Sequence, residues 1–163
     1  VLLFFYPLDF TFVCPSEILA HDKRATEFED RNVQVLGVSM DSQFTHAAWR
    51  KTPVSKGGIG PIKFPMVADL TKEIISSYGV QHPDGPALRA SFLIDKEGTI
   101  QHISLNNLSF GRDVDEMLRV VDALQFTEEH GEVCPAGWKR GDSGMEASSE
   151  GVAKFLSHNA SRL

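Results

Sequence analysis

The sequence predicts an α/β domain with a C-terminal extension, and three observations support this fold class. Apolar runs of strand length alternate with longer segments of helical periodicity, which is typical of βαβ units around a mostly parallel sheet. The last two strands are separated by a turn, which indicates a hairpin at the edge of the sheet. After residue 126 the chain becomes polar, so we divide it into a domain over 1–126 and an extension over 127–163.

Five apolar runs predict the strands. Residues 1–6 are all aliphatic or aromatic and precede Pro7, a pattern typical of a strand buried on both faces. The other four runs cover residues 33–39, 64–68, 91–94 and 99–105. The last two flank the turn Lys96-Glu97-Gly98 and form the predicted hairpin.

Helices are predicted between these runs. Residues 15–30, 43–51 and 71–78 have helical patterns, and Gly79 follows the third as a C-terminal cap. The clearest pattern covers 113–126, where apolar residues recur at the spacing of one buried helix face. These residues are Val114, Met117, Leu118, Val121 and Leu124.

The composition excludes several classes of function. The chain has 163 residues, 42% of them apolar, and is long enough to bury a core without disulfide bonds. Its net charge of -6 offers no basic surface for nucleic acid. No apolar run nears the roughly 20 residues that span a bilayer, and no secretion signal opens the chain, so we expect a cytoplasmic protein. Because the sequence starts at Val1 inside a strand, we expect part of the N-terminus to be missing from it.

The two cysteines, Cys14 and Cys134, lie 120 positions apart and include no Cys-x-x-Cys. They are too few for a disulfide scaffold, and no histidines stand at zinc-binding spacing beside them. We therefore expect no metal and no cofactor. We assign no role to the six histidines, which are His21, His46, His82, His102, His130 and His158.

The sequence around Cys14 favours chemistry. Pro15 lacks an N–H and fits the first turn of a helix, so Cys14 is predicted at a helix N-terminus, where unpaired N–H groups stabilise a thiolate. Thr11 precedes it by one turn and is placed to bond a substrate oxygen, while Pro7 would shield the sulfur from water. On position alone, a small buried hydrophobic residue is an equally good interpretation of Cys14.

The segment PLDFTFVCPSE resembles the peroxidatic-cysteine signature Pro-x-x-x-Thr-x-x-Cys of peroxiredoxins. The resemblance is to the typical two-cysteine branch, which contains the bacterial alkyl hydroperoxide reductase C proteins. Pro7, Thr11 and Cys14 occupy the three signature positions. The likeness continues through Trp49, GGIG at 57–60, FGRDVDE at 110–116 and HGEVCPAGW at 130–138. It implies a thioredoxin-like fold with a central mixed sheet flanked by helices.

The resemblance implies a thiol peroxidase. Cys14 would attack hydrogen peroxide or an alkyl hydroperoxide and become a sulfenic acid, while water or an alcohol leaves. Thr11 and Arg112 would stabilise the developing charge, and Arg112 would hold the thiolate. Glu17 would orient an active-site arginine, and Arg89 is a second arginine near the site. Without the resemblance, Arg112 is a solvated charge and Glu17 a first-turn acid favoured by the helix dipole.

Cys134 is implied to be the resolving cysteine, although its local sequence alone indicates an ordinary thiol. In this branch it belongs to the partner subunit of a head-to-tail homodimer and forms an intersubunit disulfide with the oxidised cysteine. Thioredoxin or a flavoprotein disulfide reductase would then reduce that disulfide. Local unfolding of residues 11–16 would let Cys14 leave its pocket.

Two further features follow from the resemblance. The GGIG loop and a C-terminal Tyr-Phe pair slow this unfolding in sensitive relatives, but here Phe155-Leu156 stands in place of the pair. We therefore expect moderate resistance to over-oxidation. The family places Trp49 near the contact between dimers in a ring of ten, whereas composition alone makes Trp49 and Phe44 core residues.

Three other functions stay open. A general thiol-disulfide oxidoreductase would be expected to carry the Cys-x-x-Cys that is missing here. A holdase chaperone is compatible with peroxidase activity in the same protein. A binding domain with two structural cysteines is the third.

Overall fold

The structure is a computed structural model that describes residues 1–163, with the side chain of Arg162 left out. The chain divides into two compact units, Val1–Val114 and Asp115–Leu163. The predicted extension 127–163 lies entirely within the second unit.

A five-stranded sheet forms the centre of the first unit. Its strands are β1 Leu2–Phe5, β2 Val35–Ser39, β3 Met66–Ala68, β4 Arg89–Ile94 and β5 Ile100–Asn106, and their order is β3-β2-β1-β4-β5. β1 runs parallel to β2 and antiparallel to β4; β2 and β3 pair parallel, and β4 and β5 antiparallel. The mixed sheet and the terminal hairpin are confirmed. The expectation of a mostly parallel sheet is wrong, because the apolar pattern of β4 carries no information about its direction.

The helices follow the predicted order with changed bounds. They are α1 Cys14–Lys23, α2 Ala25–Asp30, α3 Gln43–Lys51, α4 Glu73–Ser77, α5 Val114–His130 and α6 Ser149–Asn159, with short 3₁₀ turns at Val54–Lys56 and Ala160–Arg162. The single helix predicted over 15–30 is wrong, since Arg24 leaves helical geometry at φ -99° and ψ 5° and separates α1 from α2. α6 was not predicted as a helix. At its start, the side chain of Ser148 accepts a hydrogen bond from the N–H of Gly151.

β1 is buried along its whole length, as predicted. On one face of the sheet, Leu3 and Phe5 belong to an apolar cluster with Val38, Ile75 and Phe92. Alternation along the strand sends Phe4 and Tyr6 to the opposite face. There the ring of Phe4 packs against α1 and holds that helix, with Cys14 at its first position, over the sheet.

The second unit consists of α5, a folded connection and α6. Met117, Leu118 and Val121 of α5 are buried, as the predicted apolar face requires, whereas Leu124 of that face is only half-buried. Val133 and Met145 exchange two backbone hydrogen bonds of 2.9 Å across the connection. Trp138, which comes between these two residues in the sequence, is buried. The centroid of its ring lies 4.9 Å from that of Phe126. Within the part of the chain that the structure describes, none of the helices is both long and apolar enough to cross a bilayer.

Candidate active site

Cys14 is the first residue of α1 and is fully buried. Pro15 follows it in the first turn, as the sequence predicts. The Sγ of Cys14 lies 3.0 Å from Oγ1 of Thr11 and 3.3 Å from Nη1 of Arg89. An inert buried cysteine is surrounded by apolar groups, so these two polar neighbours favour a reactive thiol.

The hydroxyl of Thr11 has two acceptors within reach. It lies 2.8 Å from the carbonyl oxygen of Leu8 and 3.0 Å from Sγ of Cys14. A hydroxyl carries a single proton, so it donates to one of the two at a time. Thr11 can therefore turn its proton towards the sulfur, or towards an oxygen bound beside the sulfur, with little movement.

Glu17 joins two arginines beneath the sulfur. Its Oε2 accepts from Nη1 of Arg89 at 2.8 Å and from Nη2 of Arg112 at 3.0 Å, and its Oε1 accepts from Nε of Arg112 at 2.8 Å. The side chains of all three residues are at most 5% exposed. The interpretations of Glu17 as a simple first-turn acid and of Arg112 as a solvated charge are therefore wrong.

The two arginines have different contacts. Arg89, the first residue of β4, reaches both Glu17 and the sulfur of Cys14. Arg112 donates to Glu17 and also to the carbonyl oxygens of Phe5 and Ala90, at 2.8 and 2.7 Å. The family resemblance implied that Arg112 holds the sulfur and placed Arg89 only near the site, whereas the direct contact in the structure comes from Arg89.

Gly111 explains how Arg112 reaches this position. A Cβ at residue 111 would lie 3.3 Å from Val13 and 3.4 Å from the side chain of Glu17. The backbone N–H of Arg112 donates to Oε1 of Glu17 at 3.0 Å, which requires this close approach. The Gly-Arg pair in the sequence therefore places an arginine against α1 through backbone contact as well as charge.

The pKa values in this cluster follow from burial and charge together. Burial alone would raise the pKa of Glu17, but the charge of Arg112, its hydrogen bonds and the charge of Arg89 outweigh burial and hold this pKa below its usual value. Burial lowers the pKa of Arg112, and Glu17 opposes that shift. Arginine remains protonated in proteins, so the cluster contains two guanidinium charges and one carboxylate.

A second hydrogen-bonded network holds the segment between β1 and Cys14. Asp9 is buried, its backbone N–H donates to Oδ2 of Asp41 at 2.9 Å, and its side chain accepts from the hydroxyl of Tyr6 at 2.7 Å. Pro7 is also buried. Phe10 has a positive φ of 55°, which is strained for a residue with a side chain. The segment before Cys14 is therefore held in one conformation by its neighbours.

His46 belongs to this network, although no role was predicted for it from the sequence. Its Nδ1 lies 2.7 Å from Oδ2 of Asp9, and its Nε2 lies 3.3 Å from the carbonyl oxygen of Val67. Burial opposes a charge on the ring, but the hydrogen bond and charge of Asp9 outweigh burial and raise the pKa of His46. Helical spacing in the sequence could have indicated its burial. His46 stands three residues before Trp49, so the two lie on one face of α3, and both are buried.

Trp49 and the GGIG loop are joined directly. Trp49 is fully buried, and its Nε1 donates to the carbonyl oxygen of Gly57 at 2.9 Å. A Cβ at Gly58 would lie only 1.9 Å from the carbonyl oxygen of Thr52, so only glycine fits there. Phe44 is 77% exposed, which makes the composition-based expectation of a core residue wrong for Phe44 and right for Trp49.

Cys134 lies in the second unit, just after the bridge residue Val133. It is half-buried, and its sulfur lies 3.6 Å from the carbonyl oxygen of Ala123 and 3.8 Å from Oγ1 of Thr127. Both cysteines are free thiols. The segment after Cys134 lines a cavity of about 480 Å³, to which Pro135, Trp138 and Phe155 contribute. Among the described residues, no group of three or more His, Cys, Asp or Glu side chains is placed to hold a metal ion.

Comparison with known proteins gives matches in both units. The AhpC/TSA family model matches residues 1–103, and the model for the C-terminal domain of 1-Cys peroxiredoxin matches residues 123–158. The whole chain is 56% identical to alkyl hydroperoxide reductase C of Helicobacter pylori and covers 82% of that protein. It is 52% identical to peroxiredoxin-2 of Bos taurus, with 98% of this chain and 81% of the relative aligned. The structure of reduced 2-Cys peroxiredoxin from Plasmodium vivax superposes with a TM-score of 0.95 at 56% identity, covering 96% of this chain and 81% of that one.

Proposed function

The chain belongs to the AhpC/TSA family and is a peroxiredoxin, and we propose that Cys14 is the residue with which it reduces hydrogen peroxide and alkyl hydroperoxides. One observation carries the proposal. The sulfur of Cys14 lies at the start of a helix, is buried, and is within 3.3 Å of a hydroxyl and a guanidinium. Its neighbours are those that a reacting thiolate requires.

The charges around the sulfur support a thiolate. Arg89 and Arg112 bring two positive charges into the pocket, and Glu17 supplies one negative charge. A thiolate on Cys14 balances the remaining positive charge, whereas a neutral thiol leaves it uncompensated. Uncompensated charge away from water is costly, so the cluster favours the ionised sulfur.

The reaction follows from this arrangement. The thiolate attacks one oxygen of the peroxide, an S–O bond forms and the O–O bond breaks. Cys14 is oxidised to a sulfenic acid, and the leaving oxygen takes up a proton to become water or an alcohol. Thr11 and Arg89 supply the donors nearest the reacting atoms and stabilise the developing negative charge. Pro7 excludes water from the pocket.

Glu17 and Arg112 are positioning residues in this proposal. Glu17 holds the guanidinium of Arg89 beside the sulfur through a 2.8 Å ion pair. Arg112 fixes Glu17 to the sheet, because it also bonds the carbonyl oxygens of Phe5 and Ala90. The charge of Arg112 adds to the positive field at Cys14, which is part of the role that the family resemblance implied for this residue.

Cys134 completes the cycle in our proposal. Its thiolate, supplied by the partner subunit, attacks the sulfur of the sulfenic acid, an S–S bond forms, and the hydroxyl leaves as water after taking a proton. A thioredoxin or a flavoprotein disulfide reductase then returns both sulfurs to thiols. Segment 127–163 acts as the arm that carries Cys134, the subunits form a head-to-tail homodimer, and homodimers assemble into a ring of ten. The names of the 2-Cys relatives support this scheme.

We place this activity in the cytoplasm, where thiols remain reduced and a disulfide reductase can sustain turnover. The chloroplastic name of the related barley protein BAS1 identifies another reducing compartment as the alternative. Fractionation of the source cells, followed by detection of the protein, tests the assignment.

A peroxide titration read on gels tests the roles of the cysteines. Reduced protein is treated with one equivalent of hydrogen peroxide and run without reductant, beside Cys14→Ser and Cys134→Ser. We expect a disulfide-linked dimer that either substitution abolishes. A mixture of the two variants should regain a dimer with one disulfide, which tests that the bond joins two subunits. Thiol loss as slow as that of free cysteine, without a dimer band, would overturn the proposal.

A further inference from the structure

His21 is buried beneath the active site with one ring nitrogen unpartnered. It lies on α1 one turn after Glu17 and is fully buried. Its Nδ1 lies 2.7 Å from the carbonyl oxygen of Glu17. A carbonyl can only accept, so Nδ1 carries the proton and Nε2 is a bare acceptor. Nε2 is buried and has no hydrogen-bond partner among the described residues.

Two aromatic rings lie next to His21. The ring of Phe4 in β1 is stacked at 4.3 Å with an interplanar angle of 3°, and the ring of Phe28 in α2 lies at 6.3 Å. Phe4 also contacts Arg112, whose Cζ is 5.1 Å from the ring centroid. Phe4 therefore separates the imidazole from the guanidinium that holds Glu17.

An apolar ring would fill this position better than histidine. A buried acceptor without a partner reduces stability, and a phenyl ring of similar size would carry no such acceptor. The aromatic stack therefore does not account for histidine at this position. What histidine adds is a nitrogen that can take up a proton, in a place where a proton is poorly tolerated.

We propose that His21 is a proton-sensitive positioning residue that acts through Glu17. As a neutral ring it holds the first two turns of α1 closed around Cys14, and when Nε2 is protonated these turns loosen. The inference deepens the proposed function and rests on it, since opening of this helix start is the step that would let Cys14 meet Cys134.

The charges facing His21 determine the direction of the effect. Arg112, in the segment before α5, is the cation that acts on it across the ring of Phe4, and Glu17 is the acid on its own helix; β1 and α2 present the rings of Phe4 and Phe28. Burial, and then the charge of Arg112, lower the pKa of His21 to about 4, while Glu17 opposes the shift. In the opened helix the ring regains water and its ordinary pKa near 6.5. Between pH 6.5 and pH 4, opening of the helix is therefore accompanied by protonation of His21. Lower pH shifts the equilibrium towards the open form.

Hydrogen exchange of the reduced protein tests this directly. Exchange at the amides of residues 14–21 is compared at each pH between the native chain and His21→Phe, so that the intrinsic pH dependence of exchange cancels. We expect opening of the native helix to rise by about tenfold relative to the variant between pH 7.5 and pH 5.5. His21→Asn, which keeps a donor to Glu17 but does not titrate, should behave as His21→Phe does. His82→Gln, which removes a partly exposed histidine from a surface turn, should follow the native chain.

The outcomes separate the two proposals. If the ratio of the exchange rates of the native chain and His21→Phe is the same at all pH values, the inference about His21 is overturned. His21→Asn gives the same test if His21→Phe does not fold. An acid-dependent ratio that appears equally at the amides of β4 overturns it as well, because the effect is then global and not confined to α1. The measurement needs no turnover, so a protein that shows the exchange pattern but forms no disulfide contradicts the proposed function alone.

Discussion

The surroundings of Cys14 and Cys134 have opposite characters. Cys14 is fully buried, and its sulfur lies 3.0 Å from a hydroxyl and 3.3 Å from a guanidinium. The sulfur of Cys134 is half-buried, with its polar contacts at 3.6 and 3.8 Å. A nucleophile that attacks peroxide needs donors already in place, whereas a resolving thiol must be free to leave its position. The difference supports distinct roles for two chemically identical side chains.

Substitution of Glu17 should have the largest effect on the pocket of Cys14. Glu17→Gln leaves two buried guanidinium groups without their carboxylate, and we expect a loss of about 3–5 kcal/mol in the free energy of unfolding. The folded-state pKa of Glu17 is lowered, so its contribution is present above the ordinary pKa near 4.5 and disappears as pH falls through the lower folded value. Urea unfolding of both proteins between pH 7 and pH 3 measures this difference. Glu29→Gln on the exposed surface of α2 is the control. If the difference in the free energy of unfolding between the two proteins stayed constant across this pH range, Glu17 would not stabilise the fold through its ionised carboxylate.

Removal of the guanidinium at the sulfur should have the next largest effect. Arg89→Met takes away a donor to the reacting atoms, and we expect the rate constant for peroxide to fall by about 10² to 10³. Stopped-flow measurement of the first oxidation isolates this step from resolution by Cys134. Arg50→Met removes a guanidinium that bonds two backbone carbonyls elsewhere in the same unit and serves as the matched control. Equal losses in both variants would show that Arg89 is only structural.

Thr11 should contribute less, because its hydroxyl can also bond Leu8. Thr11→Val should lower the same rate constant by about tenfold, the value of one hydrogen bond to a charged group. Thr11→Ser keeps the hydroxyl and should recover most of the rate. If serine and valine gave the same rate, the hydroxyl would have no part in the reaction.

The smallest effect is expected beside Cys134. Thr127→Val removes a contact of 3.8 Å to its sulfur, so we expect less than about a twofold change in the rate of disulfide formation after a single pulse of peroxide. Rapid quenching and non-reducing gels give this rate. A large change would show that Cys134 is held and activated much as Cys14 is, and the comparison between the two sulfurs would fail.

Local rules were sufficient for the parts of the site that lie close together in sequence. Pro15 predicted the start of α1, and the apolar runs predicted all five strands. The ranking of Arg89 and Arg112 could not be obtained this way, because Arg89 is 75 residues from Cys14 and reaches it only through the pairing of β4 with β1. His21 and His46 were missed for a related reason, since a single polar residue in a helix does not show whether it faces water or the core.

The position of Glu17 limits how far α1 can unwind. It follows Cys14 by three residues and is bonded, through two arginines, to β4 and to the carbonyl oxygens of two strands. While His21 is neutral, Cys14 and the turn before it can move away with Glu17 still bonded, so the arginines keep their positions. After Cys14 is reduced, only the few residues before Glu17 must return to helical geometry, and the ion pairs of Glu17 with the two arginines are already in place. While the ring of His21 is neutral, Glu17 is thus the point beyond which α1 stays wound; protonation of His21 would release that point and let the second turn open.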